Sequence, residues 1–576
     1  MIQEKLTDLI KGALKNLNIE AKGILLEHPA DLAHGDYSTN VALVHAKELG
    51  MKPREVAERI VAEIKKGQTS NLERGLTFRD GISKIEIAGG GFINFFLSPK
   101  FFAESVAEIV RLADNFGRNE GHKGHKVMVE YTDPNPFKEF HIGHLMGNAI
   151  GESIARSLEF SDAKVIRACW QGDVGLHVAK AVWGLKKFAN NDLRFTIYDL
   201  GKAYTDGARA YEADEEAKKE IEELNRKIFE ESDSEVNKLY EEGRKISLEH
   251  FEEIYKKLGT KFDHYFFERK EGLNGVPIVQ KFLKKGIFEE SENAVVFRGE
   301  TRDKNLHTRV FITSQGLPTY ETKELGLTEA KFKAEPNLDQ SIVVTANEQD
   351  EYFKVVLKAM EEVMPEAAKK TTHVSHGMLR FAAGKMSSRA GNVITGESLI
   401  TAVENLVMEK IKERELSTDE KQKIAEAVAI GAIKYSILRA GIGSDIIYDF
   451  DKSISFEGDS GPYLQYTYAR ARSVLRRAEE EFRIKNLEFR MLESPNKLTR
   501  LLHRFPEVVK RAAKEFEPHH IATYLTELAA AFNNFYAHNK IIGSDEKNYR
   551  LALTQAVSIT LKNGLGLLGI EAPERM

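Results

Sequence analysis

Between Val127 and Trp170 the chain spells out a strand, a break, a helix and a second strand, and no other stretch restricts its fold as much. Val127-Met128-Val129-Glu130-Tyr131 is a short apolar run of the kind a parallel sheet buries on both faces. Asp133-Pro134-Asn135-Pro136 ends it, because a proline cannot donate to a ladder. The spacing of Leu145, Ala149, Ile150, Ile154 and Leu158 predicts a helix from about Gly143 to Glu159. Lys164-Val165-Ile166-Arg167-Ala168-Cys169-Trp170 then reads as the next parallel strand. Strand to strand takes under ~40 residues, room for one right-handed crossover. Such a unit begins a Rossmann-type sheet, whose ligands bind at the carboxyl ends of the strands.

Around that unit, 576 residues leave space for about three to five domains. The fold class expected is multidomain, α/β plus all-α. Residues 1–120 read as a small α/β domain. Val56, Ile60 and Ile64 share a helix face, and Lys84 to Ala88 and Phe92 to Leu97 form two strands around Gly89, Gly90 and Gly91. Residues 121–418 form the parallel-sheet domain, resumed by the Ser341 to Thr345 strand and a helix through Val363. The charged stretch 203–262 is expected as helical hairpins inserted into it. From about Asp419 almost every segment has a helical period and none a clear strand alternation, so 419–576 is expected as a helical bundle.

Composition removes several classes. A single cysteine, Cys169, cannot form an intramolecular disulfide or a zinc site built from several thiolates. No run approaches the ~18 apolar residues of a membrane span. The opening Met1-Ile2-Gln3-Glu4-Lys5 is charged and amphipathic, unlike a signal peptide. A cytoplasmic protein without membrane attachment is expected. The formal net charge of −5 does not announce a nucleic-acid binder, but the charge is unevenly spread. From Arg470 to Lys514 there are 13 Lys/Arg against 6 Glu, just after Tyr463, Tyr466 and Tyr468. That pattern fits a solvated helix face or a phosphate-tracking surface with stacking rings nearby.

Two motifs carry chemistry. His141-Ile142-Gly143-His144 falls at the start of the predicted helix. Free backbone N–H groups and the positive end of the helix dipole suit an anion there, the imidazoles add donors, and glycine permits close approach. Gly384-Lys385-Met386-Ser387-Ser388 follows far downstream, with Lys385 lying 244 positions after His141. A lysine on a small loop with two hydroxyls can clamp a polyphosphate while charge develops on it.

A strand followed by His-Ile-Gly-His, with Lys-Met-Ser-Ser far downstream, resembles the class I aminoacyl-tRNA synthetases. Longer blocks narrow the likeness to the arginyl-tRNA synthetases. The run from Glu130 through Pro134-Asn135, Lys138 and His141 to His144 is similar to that family's E-(F/Y)-x-x-P-N-x-x-K-x-x-H-x-G-H block. His34 to Asn40 and Gly90 to Asn94 resemble its N-terminal domain. Phe456 to Tyr466 and the ending Gly569 to Met576 resemble its helical anticodon-binding domain. The H-x-G-H motif also serves small-molecule adenylyltransferases, which would need no helical domain with a basic face.

The resemblance implies activation of L-arginine with ATP and Mg2+, then transfer to the 2′-hydroxyl of the terminal adenosine of the arginine tRNA. It implies no tightly bound, protein-ligated metal, and a monomer is expected. His141, Gly143, His144, Lys385, Met386, Ser387 and Ser388 would bind ATP, with Lys138 supplementing Lys385. Glu130, Asn135, Tyr320, Glu324 and Gln349 would bind the substrate arginine. Two departures stand out: Thr322-Lys323-Glu324 replaces the family's usual T-R-D, and Gly172-Asp173-Val174-Gly175-Leu176-His177 replaces G-D-W-G-x-Q. Arg470, Arg472, Arg476, Arg477, Phe535 and Tyr536, with Phe532, are the candidates for contact with the anticodon. The N-terminal domain would touch the tRNA body.

Overall fold

The computed structural model describes residues 2–70, 81–188, 195–381, 395–482 and 495–576. Its centre is a five-stranded, all-parallel sheet of β1 (Lys126–Glu130), β2 (Lys164–Gln171), β3 (His264–Phe267), β4 (Gln340–Ala346) and β5 (Thr371–His376). The spatial order is β5-β4-β1-β2-β3. Val127 pairs with Val165 on one side and with Gln340 on the other. After β1 the chain winds first one way through β2 and β3, then the other through β4 and β5. The switch point therefore lies between β1 and β4, where an open parallel sheet leaves a crevice at its carboxyl edge.

Helix α1 (Ile142–Phe160) crosses from β1 to β2 and is nearly all buried; most of its residues are apolar or small, and its buried Glu152 is paired with Arg156 and Arg167. Helix α2 (Leu176–Phe188) follows β2. Next come α3 (Ile197–Ala213), α4 (Glu215–Glu230) and α5 (Ser234–Leu258), the helical insertion. Its own core joins Val178, Val182, Leu200, Ile221 and Tyr240 to Phe137, in the loop after β1. Helix α6 (Glu268–Leu283) starts where β3 ends, and α7 (Tyr320–Ala334) and α8 (Asp350–Val363) flank β4. Between α6 and α7 lies a small antiparallel sheet of Glu289–Ser291, Ala294–Arg298 and Thr308–Ile312. The sequence reading did not anticipate it, because strands of three to five residues are too short to show a period.

The N-terminal unit folds around its own core. Its strands Ile82–Ala88 and Phe92–Leu97 form a hairpin, and Tyr37–Thr39 adds a third antiparallel strand. The C-terminal region contains α9 (Thr418–Leu438), α10 (Gly461–Phe482), α11 (His519–His538) and α12 (Lys547–Leu567). It is not purely helical: Ile446–Tyr448 pairs in parallel with Leu379–Phe381. One continuous apolar core runs from Val127, Val129 and Leu145 to Val428, Leu464 and Leu551. The sheet domain and the helical domain are thus packed as one body, not strung on a linker. Among the described residues no helix is long and apolar enough to cross a membrane.

Candidate active site

At the switch point, His141 is the N-cap of α1. Its Nδ1 accepts from the N–H of Gly143 at 3.1 Å, and its own N–H donates to Nδ1 of His144 at 3.2 Å. Both Nδ1 atoms are acceptors, so both rings are neutral and carry their proton on Nε2. The rings stack with centroids 3.4 Å apart. Burial, then the nearby Lys138, holds His141 down at about 4, and burial, then the His141 neighbour, holds His144 well below the usual imidazole range. The two are not equivalent: His141 is exposed to the crevice, while His144 is 5% exposed and packs on Phe140. Glycine at 143 is required by space, since a Cβ there would sit 2.9 Å from Cε1 of His141.

Lys138 reaches the same crevice from the loop after β1. Its ammonium lies 5.3 Å from the ring centre of Tyr204 on the insertion helix α3. Burial lowers its pKa, repulsion from Lys180 adds to that, and Glu268 opposes it. No carboxylate of the described residues lies within ion-pairing distance of it. Gly384, Lys385, Met386, Ser387 and Ser388 lie outside the described residues. Where description resumes, Thr395 forms an antiparallel bridge with His141, and Gly396 N–H donates to the carbonyl of Phe140 at 2.7 Å.

Beside this end lies an acid-lined slot. Glu130 closes β1 and is 2% exposed. It is not solvated, as a surface acid would be, nor is it free: its Oε2 lies 2.6 Å from Nζ of Lys331, a close ion pair whose angle falls short of a well-aligned hydrogen bond. Lys331 comes from α7, seven residues after Glu324, so the two face the same way on the helix. Glu324 is 5% exposed and its Oε1 has no hydrogen-bond partner among the described residues. Burial pushes Glu324 up to about 7, with Lys331 opposing and Glu130 adding repulsion. Asp133 is pushed well up by burial and then by Glu130, although it accepts from the N–H of Trp170 at 2.8 Å. Thr132 and Asp133 reach this geometry through positive φ values of 81° and 47°, which non-glycine residues seldom adopt.

Glu268, the first residue of α6 and unforeseen from sequence, forms the far wall. It is 2% exposed and accepts from Nζ of Lys323 at 2.9 Å. Its charge is the main cause of the raised pKa of Tyr320, which is 57% exposed and open to the crevice. Asn135 meets the same wall. A Cβ on Gly172 would lie 2.1 Å from its Oδ1 and 3.4 Å from Oε1 of Glu268, so a side chain after β2 would push the Asn135 amide aside. Gln349 is exposed in the short turn Asn347–Gln349 after β4. Asp173 is buried and structural, accepting from Tyr240 and from the N–H of Arg269, both at 3.0 Å. His177 donates to the carbonyl of Gly172 at 2.8 Å and is held neutral, its pKa lowered to about 3 chiefly by burial. A signal for Glu268 existed in the sequence: a carboxylate directly after the His264–Phe267 segment, had that segment been read as a strand.

In the helical domain, the Arg470 guanidinium lies between two rings, 4.8 Å from Tyr466 and 5.2 Å from Tyr536. Arg472 and Arg476 are tied to the C-terminal Glu574, Arg472 through a 2.8 Å ion pair. Arg477 is exposed. Phe532 and Phe535 are 0% and 7% exposed and belong to the core, as expected for most of these rings, and Tyr536 is the one of the three at the cleft. A cleft of about 470 Å3 is lined by Tyr466, Arg470, Arg476, Arg477, Tyr536 and Met576.

A parallel sheet whose first helix opens on His-x-Gly-His at the switch point, with a helical domain packed against it, defines a class I aminoacyl-tRNA synthetase. Residues 106–450 match the family described as tRNA synthetases class I (R), catalytic domain. Residues 4–97 match the arginyl tRNA synthetase N terminal domain, and 464–576 match the DALR anticodon binding domain. The chain belongs to the arginyl-tRNA synthetases. It is 33% identical over 573 residues to the arginine–tRNA ligase of Clostridium acetobutylicum, covering 97% of both chains. Against that of Halothermothrix orenii it is 31% identical, covering 100% of this chain and 99% of the other. The solved arginyl-tRNA synthetase of Thermus thermophilus shares the fold over 100% of both chains, with TM-score 0.77 at 24% identity. That of Plasmodium falciparum does so with TM-score 0.79 at 21% identity, covering 100% of this chain and 99% of the other.

Proposed function

We propose that the arginine–tRNA ligase activity of this chain runs through the crevice between β1 and β4, with arginine in the acid-lined slot and ATP, as its magnesium complex, across the start of α1. The α-carboxylate of arginine attacks the α-phosphorus of ATP in line, and pyrophosphate leaves. No general base is needed, since that carboxylate is already ionised at neutral pH. The neutral His141 offers its Nε2–H to a phosphate oxygen, and the α1 dipole favours the charge that migrates outward. Lys138, cationic and without a carboxylate partner among the described residues, supplements Lys385 at the leaving group. The hydroxyl of the tRNA's terminal adenosine then attacks the adenylate carbonyl and AMP departs.

Glu324, Glu130, Glu268, Asn135, Tyr320 and Gln349 form the proposed arginine slot. The observation that carries this reading is the unpartnered Oε1 of the buried Glu324, a costly arrangement unless a donor arrives. A guanidinium supplies a planar fork of donors that a lysine ammonium lacks. Charging of tRNA with labelled arginine tests it. Glu324→Gln is expected to raise the KM for arginine by about 100-fold or more while leaving the KM for ATP within about threefold. An unchanged arginine KM would remove Glu324 from the slot.

The helical domain is proposed to take the anticodon at the cleft between Tyr466, Arg470 and Tyr536, where flat rings and cationic groups suit a splayed base. The N-terminal unit is proposed to touch the tRNA body.

A further inference from the structure

We propose that Lys331 is a positioning and specificity-determining residue of the amino-acid slot: its ammonium occupies the cation site at Glu130, leaving Glu324 as the carboxylate open to the substrate. This inference rests on the slot assignment given under the proposed function. Its geometry is direct. Nζ of Lys331 lies 2.6 Å from Oε2 of Glu130, and each side chain is only 2% exposed. Glu324, two helical turns earlier on α7, keeps an oxygen without a partner among the described residues.

The charged and titratable groups around Lys331 come from three elements. Glu130 lies at the end of β1, Asp133 in the turn after it and Glu324 on α7 itself, while Tyr352 on α8 lies near Glu324 and Glu130. Burial and the neighbouring Glu130 favour the neutral form of Asp133, and Tyr352 is held neutral by burial. With Glu130, Glu324 and Lys331 charged, the slot has a net charge of −1 and accepts one further monocation. Without Lys331 it would hold two uncompensated carboxylates, and protons would take the place of the missing cation.

Selectivity follows from which acid is already paired. A compact ammonium on a flexible stem is what Glu130 is built to hold, and an internal lysine holds it. A substrate lysine therefore meets a filled point-charge site and an open carboxylate edge that suits a fork better than a point.

The test is tRNA charging by the full chain with labelled arginine and, separately, labelled lysine, from pH 6 to 9. Lys331→Met is expected to raise the KM for arginine by about tenfold or more at pH 7 with kcat changed less than about threefold. The KM rise on acidification should move to higher pH as Glu324 loses its counter-ion, and the arginine-to-lysine preference should fall by about tenfold. Lys331→Arg should restore most of the arginine KM. If Lys331→Met does not fold, Glu130→Gln combined with Lys331→Met removes both charges of the buried pair. That double variant should lose the arginine-to-lysine preference by about tenfold. Should the variant that folds retain the wild-type arginine KM, pH profile and lysine discrimination, the role of Lys331 is overturned. Glu324→Gln separates the two failures: if it too leaves the arginine KM unchanged, the slot assignment falls, and if only the Lys331 variants are silent, the slot stands without Lys331.

Discussion

Glu324 shows how much one buried side chain can be asked to do. The sequence marked it as one methylene longer than the family's usual aspartate, which left open whether it still reached the substrate. In the folded chain it is buried with an oxygen that has no partner among the described residues, and its carboxyl is pushed up to about 7. Only the ionised form attracts a guanidinium, so protonation weakens arginine binding. The KM for arginine should therefore rise as pH falls through about 7, approaching tenfold per pH unit well below it, while the KM for ATP stays flat. Initial-rate charging kinetics between pH 5.5 and 8.5 check this, and a flat arginine KM would mean that Glu324 is not the acceptor. The phosphate end makes a second prediction at this scale. Lys385→Ala should lower arginyl-adenylate formation by about 100-fold and Lys138→Ala by about 10-fold, and single-turnover ATP consumption reads both. The reverse order would make Lys138 the main phosphate lysine.

Elements decide where such side chains can stand. Glu130, the turn at Gly172 and Glu268 sit at the carboxyl ends of three adjacent strands, so one edge of the sheet presents them together. Gly172 matters because Asn135 crosses its face, and an added Cβ would lie 2.1 Å from Asn135 Oδ1. Gly172→Ala should raise the arginine KM by about tenfold with the folded state retained, measured by charging kinetics beside a thermal melt. The same scale explains what periodicity could and could not reveal. Helix α1 and strand β2 were legible because their apolar patterns are long, and the five-residue β1 because Pro134 and Pro136 mark the break after it. The sheet between α6 and α7, the Ile446–Tyr448 strand and the β3–α6 corner were not, because three to five residues carry no readable period.

At the scale of the whole molecule, the three parts are locked by buried polar contacts. Tyr37 of the N-terminal unit donates to Oε1 of Glu507 at 2.5 Å, and Asp36 pairs with Arg500. At the other joint, Lys434 of α9 donates to the carbonyls of Leu258 at 2.6 Å and Gly569 at 2.8 Å. Ser153 of α1 donates to the carbonyl of Leu567 at 2.9 Å, so the helix that opens on His141 is bonded directly to the end of α12. Burial pulls the pKa of Lys434 down to about 7. The unfolded chain, with an ordinary lysine pKa, binds that proton more tightly than the folded one. This group therefore weakens the fold most below about pH 7, and the weakening fades as pH climbs toward the unfolded value. Relative to Lys434→Met, the wild type should gain on the order of 2 kcal/mol between pH 7 and 9, read from urea midpoints at both pH values. No relative gain would mean that Lys434 titrates outside this range.

By itself the sequence determined the class of the fold and the family: contiguous blocks carry the βαβ pattern, His141 to His144 and the long family motifs, all of which are local in the chain. Only the tertiary structure decided which acids are open and which are filled. Lys331 and Glu268 lie 201 and 138 positions from Glu130, and no spacing rule links residues whose sole relation is that a parallel sheet delivers them to one edge. Phe535 packs in the core for the same reason, since burial is a property of the assembled helices and not of the residue.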